Sequence, residues 1–246
     1  MAHHNTIFAQ LLKLVSRHEF DRLAESHHRG RQLRVMTRWS QFVALSMGHL
    51  TGRHSLRDIV YNLKAQGSQL YHLGCRDVTR SSFARVNEQQ PHTLYEALFA
   101  RLYQRCQGLA PAHGFRFKNK LYSLDASLID LSLTIFPWAH FALGKAAMKL
   151  HVGLDHRGCL PAFAAITHGH ASDLSVARSL QFPPSSIVVC DRGYLDYAWF
   201  KSLTEKGVFI VTRPKKDALY KVKQRHRVNR EQGVTSDQTI LFDGVK

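Results

Sequence analysis

Two aspartates stand at the ends of short apolar runs. Lys120-Leu-Tyr-Ser-Leu-Asp125 alternates and then reaches an acid, and the continuous apolar run Ser186-Ile-Val-Val-Cys190 is followed at once by Asp191. If both runs are strands of one sheet, the two carboxylates meet near its carboxyl edge, where open sheets place ligands. Carboxylates held together repel, which raises one pKa unless a divalent cation neutralises them. Oxygen donors suit Mg2+ or Mn2+, and paired ions of this kind carry in-line displacement at a phosphodiester. Either aspartate taken singly is equally an ordinary turn residue or helix cap, and that alternative stays open at this point.

A second constellation is cationic. Lys221, Lys223, Arg225 and Arg227 recur at every second position, so a strand there places all four on one face, with Tyr220, Val222, Gln224, His226 and Val228 on the other. Arg213, Lys215, Lys216 and Arg230 surround the segment. Four like charges along one strand repel unless an anion lies against them, so the ribbon reads as a DNA-backbone contact; the alternative is a solvated face. Further upstream, Gln69 to Gln90 carries Arg76, Arg80 and Arg85. A short helix ending near Leu73, a turn at Gly74 and a helix over about Ser81 to Asn87 have the layout of a helix-turn-helix, whose second helix enters the major groove. A packing or dimerisation bundle gives the same spacing.

The chain that must position these groups has 246 residues, enough for one large domain or two modest ones. Lys and Arg number 34 against 18 Asp and Glu, a net charge of +16, while 44% of residues are hydrophobic. This is a folded composition with a strong basic excess, which points to a polyanionic partner such as nucleic acid. No apolar stretch is long enough to cross a membrane and no signal-peptide layout opens the chain, so a cytoplasmic, soluble protein is expected. Cys75, Cys106, Cys159 and Cys190 are scattered and read as small apolar core residues. His168-Gly-His170 lacks structural-zinc spacing.

The periodicity changes near residue 118. Before it, helices are expected from Ile7 to Val15, from Trp39 to about Gly52, from a capping box at Ser55-Leu-Arg-Asp58 through Leu63, and from a second box at Thr93-Leu-Tyr-Glu96 to Cys106. After it, strand-like runs end at Asp125 and span Met148–Leu154 and Leu160–Thr167, the last two joined by the turn Asp155-His-Arg-Gly158. A helix from Asp173 to Leu180, the strand ending at Cys190, a helix from Leu195 to Lys206 and the strand Val208–Thr212 follow. The fold class expected is α/β: a helical N-terminal domain over 1–117, then a mixed sheet with helices on its faces over 118–246.

Several separated motifs, in order, resemble the DDE transposases of bacterial insertion sequences, specifically the IS-4 family. In the first part these are Ile7-Phe-Ala-Gln-Leu-Leu-Lys-Leu, His18-Glu-Phe-Asp21, Leu50-Thr-Gly-Arg53, Tyr71-His-Leu-Gly74 and Arg80-Ser-Ser-Phe-Ala-Arg-Val-Asn87. In the second they are Ser123-Leu-Asp125, Lys149-Leu-His151, Val188-Val-Cys-Asp191-Arg-Gly-Tyr194 and Phe209-Ile-Val-Thr-Arg213. The resemblance implies an RNase H-like catalytic domain and Mg2+- or Mn2+-dependent cleavage and strand transfer at transposon ends. Asp125 and Asp191 would hold the metal, and Lys149 and Arg192 would contact phosphate. It also implies double-stranded DNA partners (terminal inverted repeats and target), a homodimer, and a bacterial, nucleoid-associated setting.

One part of the family pattern is missing. The third acid belongs to a motif Y-x-x-R-x-x-x-E-x-x-x-x-x-x-K on a helix after a β-rich insertion, and no Tyr here begins it. Glu231, Asp237 and Asp243 fall where the insertion, beginning near 214, is expected, without the Tyr and Arg framing. The resemblance therefore implies a catalytic domain incomplete at its C-terminal side, with weak or absent activity, or a DNA-binding product that inhibits an intact transposase.

Overall fold

The computed structural model describes residues 6–131, 140–142 and 145–242. It divides into two compact units, 1–105 and 106–246, a boundary inside a helix and earlier than the 117/118 junction expected from the change of period.

The first unit is helical: α1 (Ile7–Leu12), α2 (Arg17–Ser26), α3 (Arg38–Leu50), α4 (Leu56–Ala65), α5 (Gly67–Leu70), α6 (Arg80–Gln89) and α7 (Thr93–Leu109). Side-chain caps start most of them. Ser55 Oγ accepts from Asp58 N at 3.1 Å, as its capping box predicts, and Thr37 and Thr79 cap α3 and α6 in the same way. Thr93 does not. The helix already includes it, and its hydroxyl is 2.8 Å from His27 Nδ1 instead. Phe20, Trp39, Val43, Phe83 and Leu94 form the buried centre, with Phe20 edge-on to Trp39 at 5.1 Å. Gly48 lets α4 approach α3: a Cβ there would lie 2.6 Å from Ile59 Cδ1. Between α5 and α6 a 3-10 turn at Tyr71–Leu73 ends on Gly74 at φ +70°, the turn that the helix-turn-helix spacing predicts. Buried Trp39 fixes it by donating to Leu73 O at 2.7 Å.

The second unit is a mixed sheet with strands β1 (Leu121–Leu131), β2 (His140–Ala142), β3 (Lys145–Asp155), β4 (Leu160–His168), β5 (Ile187–Cys190) and β6 (Phe209–Val211). The order is β2-β3-β1-β5-β6, with β4 also on β3. β1, β3 and β4 pair antiparallel, while β1, β5 and β6 run parallel. This α/β arrangement is consistent with an RNase H-like fold. α8 (Asp173–Ala177) and α9 (Tyr197–Glu205) cover one face, where Leu124, Val188, Cys190, Ala177, Trp199 and Leu203 form the core. Both helices are shorter than their apolar spacing suggests. Asp196 caps α9 by accepting from Trp199 N at 2.6 Å, which fixes its start after Leu195.

A separate hairpin, β7 (Tyr220–His226) with β8 (Asp237–Phe242), corrects the cationic ribbon. Val222 opposes Ile240 but Gln224 opposes Thr239, so Lys223 is an extra residue in the ladder. Such a bulge reverses the alternation beyond it. Lys221 opposes Leu241 and Arg225 opposes Gln238, positions on opposite faces of β8. The four cations therefore do not share one face, and Arg227 lies past the strand. The cysteine expectation is half corrected too: Cys75 and Cys190 are buried, whereas Cys106 and Cys159 are exposed. Among the described residues, no helix is long and apolar enough to cross a membrane.

Candidate active site

Leu124 on β1 lies opposite Cys190 on the parallel neighbour β5. The next residues are Asp125 and Asp191, so the two acids follow one register pair on adjacent strands; β5 ends there as expected, whereas β1 does not end at Asp125 but continues to Leu131, paired with β3. Each is held through one oxygen. Asp125 Oδ1 accepts from Ala126 N, and Asp191 Oδ1 accepts from Gly193 N, both at 2.8 Å. The second contact caps the 3-10 turn Arg192–Tyr194 and carries the chain toward α9. Ser123 and Asp125, Val189 and Asp191, and Thr212 and Arg213 from the end of β6 line one groove of roughly 410 Å³. Both acids are exposed there.

Beside this pair lies a third acid that the sequence patterns did not single out. Asp173, at the start of α8, forms an ion pair with Lys149 Nζ at 3.0 Å. Its Oδ1 is 3.7 Å from Nδ1 of His151, a side chain only 2% exposed. His151 Nε2 meets Thr167 Oγ1 at 2.8 Å, across the β3–β4 ladder. Burial holds the His151 pKa below its ordinary value; the Asp173 charge opposes this shift and Lys149 adds to it. Asp173 also approaches Asp191. A Cβ on Gly193 would lie 3.0 Å from Asp191 Oδ1 and 3.6 Å from Asp173 Oδ2. Tyr194, buried next to them, has its pKa pushed up by burial first and then by the charges of Asp173, Asp125 and Asp191, so its phenol stays protonated. Burial likewise raises Cys190 to about 11, which keeps that thiol neutral. The available signal for the Asp173 cluster was Lys149 and His151: two polar residues at i and i+2 on one side of an otherwise apolar strand.

The cations assigned by sequence fall in different places. Arg213 lines the groove with Asp125 and Asp191. Arg192 is exposed on the turn that Asp191 caps. Lys149 is engaged internally, by Asp173 and by donation to Ala171 O at 2.8 Å, and its side chain is 17% exposed. Lys215 and Lys216 are exposed on the connection after β6, and Lys221, Lys223 and Arg225 lie on the bulged hairpin. Glu231 is exposed between β7 and β8, its backbone N–H bonded to Asn229. Asp237 opposes His226 in the hairpin, and Asp243 lies outside the described residues.

Mg2+ is commonly held by one or two carboxylates, with water and phosphate oxygens completing its shell. Asp125 and Asp191 offer that donor set on one groove and fit such an ion. Among the described residues, no group of three or more His, Cys, Asp or Glu is arranged to enclose a metal by itself.

Comparison with known proteins shows what these features are similar to. Residues 121–242, which include both acids and the hairpin, match the Transposase DDE domain. Residues 3–76 match a domain of unknown function, DUF4372. Two curated proteins named as transposases are similar. One, y4zB of Sinorhizobium fredii, is 26% identical over 161 residues, 64% of this chain and 44% of that protein. The other, for insertion sequence element IS5377 of Geobacillus stearothermophilus, is 24% identical over 162 residues, 66% of this chain and 42% of that protein. The chain thus spans less than half the length of the curated relatives it matches. DDE domains of this kind use divalent metals, which agrees with a carboxylate pair on neighbouring parallel strands. The sheet unit thus carries the match to the Transposase DDE domain, and the chain as a whole is similar to transposases of insertion sequences.

Proposed function

We propose that this chain is an insertion-sequence transposase that binds transposon-end duplex DNA and performs metal-dependent cleavage and strand transfer. The observation that carries the proposal is the placement of Asp125 and Asp191 directly after the register pair Leu124↔Cys190. In this reading Asp125 and Asp191 hold Mg2+ or Mn2+. The bound cation supplies activation of an attacking oxygen and neutralisation of the leaving one. Arg213, on the same groove, orients the scissile strand through its phosphate, and Arg192 contacts the neighbouring backbone. The Asp191–Gly193 hydrogen bond fixes the turn from which Asp191 projects, while Asp173 sets the position of Lys149 and so supports the wall of the site. Lys149 acts through this internal pair more than as a free phosphate ligand. Lys215, Lys216, Lys221, Lys223, Arg225 and Arg227 extend the basic surface toward DNA. The hairpin is the β-rich insertion that follows residue 214, and the helical unit contributes DNA contacts. A homodimer working at the bacterial nucleoid completes the proposal.

A second reading is DNA binding without cleavage, as a remnant or an inhibitor of an intact transposase. It is favoured by one observation: the exposed cations Lys215, Lys216, Lys221, Lys223 and Arg225 serve binding whether or not the acid pair holds a metal. The two readings separate in one assay. Incubation of the purified chain with terminal-repeat duplex and Mg2+ gives nicks that depend on Asp125 if the first holds. Retained duplex with no nicks supports the second.

A further inference from the structure

The arginines of the helical unit divide by partner. Arg17 pairs with Asp21 at 2.8 Å and lies over the Trp39 ring at 4.6 Å. Arg38 is buried and donates to Gln41 Oε1 and Pro91 O. Arg53 reaches Asp58, and Arg101 and Arg105 both reach Glu19. Arg29, Arg31, Arg34 and Arg85 are different. All four are exposed, none belongs to an ion pair among the described residues, and all four line one groove of roughly 790 Å³. Ser82 and Gln89 of α6 complete its polar wall, and Glu88 is its one acid.

The loop that carries three of these arginines is pinned. Gln90, only 8% exposed, closes α6 and holds Arg29 at both backbone groups: Oε1 accepts from Arg29 N at 3.3 Å and Nε2 donates to Arg29 O at 2.7 Å. Gly30, at φ +79°, turns the chain directly afterwards. Leu33 packs against the core and Met36 is buried in it. The backbone is therefore fixed at residues 29, 33 and 36, while the guanidiniums between and beside these points face the groove. The same helix that presents Arg85 supplies the pin.

Four like charges gathered on a fixed frame with a single acid among them repel, and an anion of extended form relieves them together. Guanidinium forks match phosphate oxygens two at a time. A row of four, spread between a loop and a helix, fits successive phosphates of a strand better than one isolated phosphate. We propose that the groove between the Arg29–Met36 loop and α6 is a clamp for the sugar–phosphate backbone of duplex DNA, acting without base readout. The proposal rests on the reading of this chain as a transposase and adds the place where the helical unit holds its DNA. Of the arginines in the helix-turn-helix segment, Arg85 belongs to this clamp.

The test is the salt dependence of binding to a labelled duplex of arbitrary sequence, measured by fluorescence anisotropy on the full chain. Each phosphate contact contributes about 0.9 to the slope of log affinity against log salt. Arg31→Gln with Arg34→Gln should lower that slope by about 2 and weaken binding at low salt. Arg22→Gln with Arg57→Gln, an equal change of charge elsewhere on the unit, should leave the slope within about 0.5 of the parent. Gln90→Leu, which keeps all the charges but releases the loop, should give an intermediate loss, with folding checked by circular dichroism. If the parent binds duplex and both double variants share its slope, the clamp is overturned while the transposase reading stands. If the parent shows no salt-dependent hold on duplex, that reading fails as well. A tighter hold on single-stranded RNA than on duplex overturns the assignment to DNA.

Discussion

The helical unit and the sheet unit organise charge in opposite ways. At the sheet, acids are brought together: Asp125 and Asp191 follow one register pair on adjacent strands, Asp173 lies near Gly193, and Lys149 is engaged by Asp173. In the helical unit, cations are brought together: Arg29, Arg31, Arg34 and Arg85 share a groove, while the arginines with acidic partners lie elsewhere. The difference separates two tasks. Cations without partners hold a phosphate backbone by charge, cheaply and without sequence preference. Carboxylates without enough cations call for a metal, and so confine chemistry to one point on that backbone.

If this separation is real, changes on one side leave the other largely intact. The largest effect belongs to the acid pair. Asp125→Asn or Asp191→Asn should lower Mg2+-dependent nicking of terminal-repeat duplex by at least about 100-fold, while duplex affinity in EDTA stays within about twofold. A parallel loss of affinity would merge the two tasks. The next effect is on stability. Asp173→Asn leaves Lys149 without its charge partner, and urea unfolding of the chain should show a loss of about 2 kcal/mol. An unchanged midpoint would mean that the ion pair contributes nothing.

A smaller effect comes from His151. Burial depresses its folded pKa, so the unfolded chain takes up a proton at His151 before the folded chain does. Its contribution is complete above the ordinary histidine value of about 6.5 and is lost as pH falls through the interval below it. His151→Gln should flatten stability against pH in that interval, by at most about 1.4 kcal/mol per pH unit relative to the parent. A difference between the two curves that does not change with pH would contradict this. The smallest effect concerns the hairpin. Since the bulge at Lys223 puts Lys221 and Arg225 on opposite faces, neutralising both should change the salt slope by about 1, where a common face would give about 2.

The parts legible in the sequence depend on local signals. Ser55 before an apolar helix, Gly74 at a sharp turn, and the apolar runs ending at Asp125 and Asp191 all declare themselves within a few residues. What was not legible depends on a distant partner. The Lys223 bulge is set by the register against β8, and the hydroxyl of Thr93 goes to His27 on another element. Asp173 becomes meaningful only when α8 lies over Lys149 and His151. The Arg29–Met36 loop has no period at all, and its order comes from Gln90 at the far end of α6.

The central claim is that Asp125 and Asp191 form one cation site, independent of the groove that holds DNA. Calorimetric titration of Mn2+ into the chain without DNA, compared among the parent, Asp125→Asn, Asp191→Asn and Arg31→Gln with Arg34→Gln, tests it most directly. The account predicts that each aspartate variant loses the binding heat and that the arginine variant keeps it. Mn2+ binding that survives in both aspartate variants would contradict it.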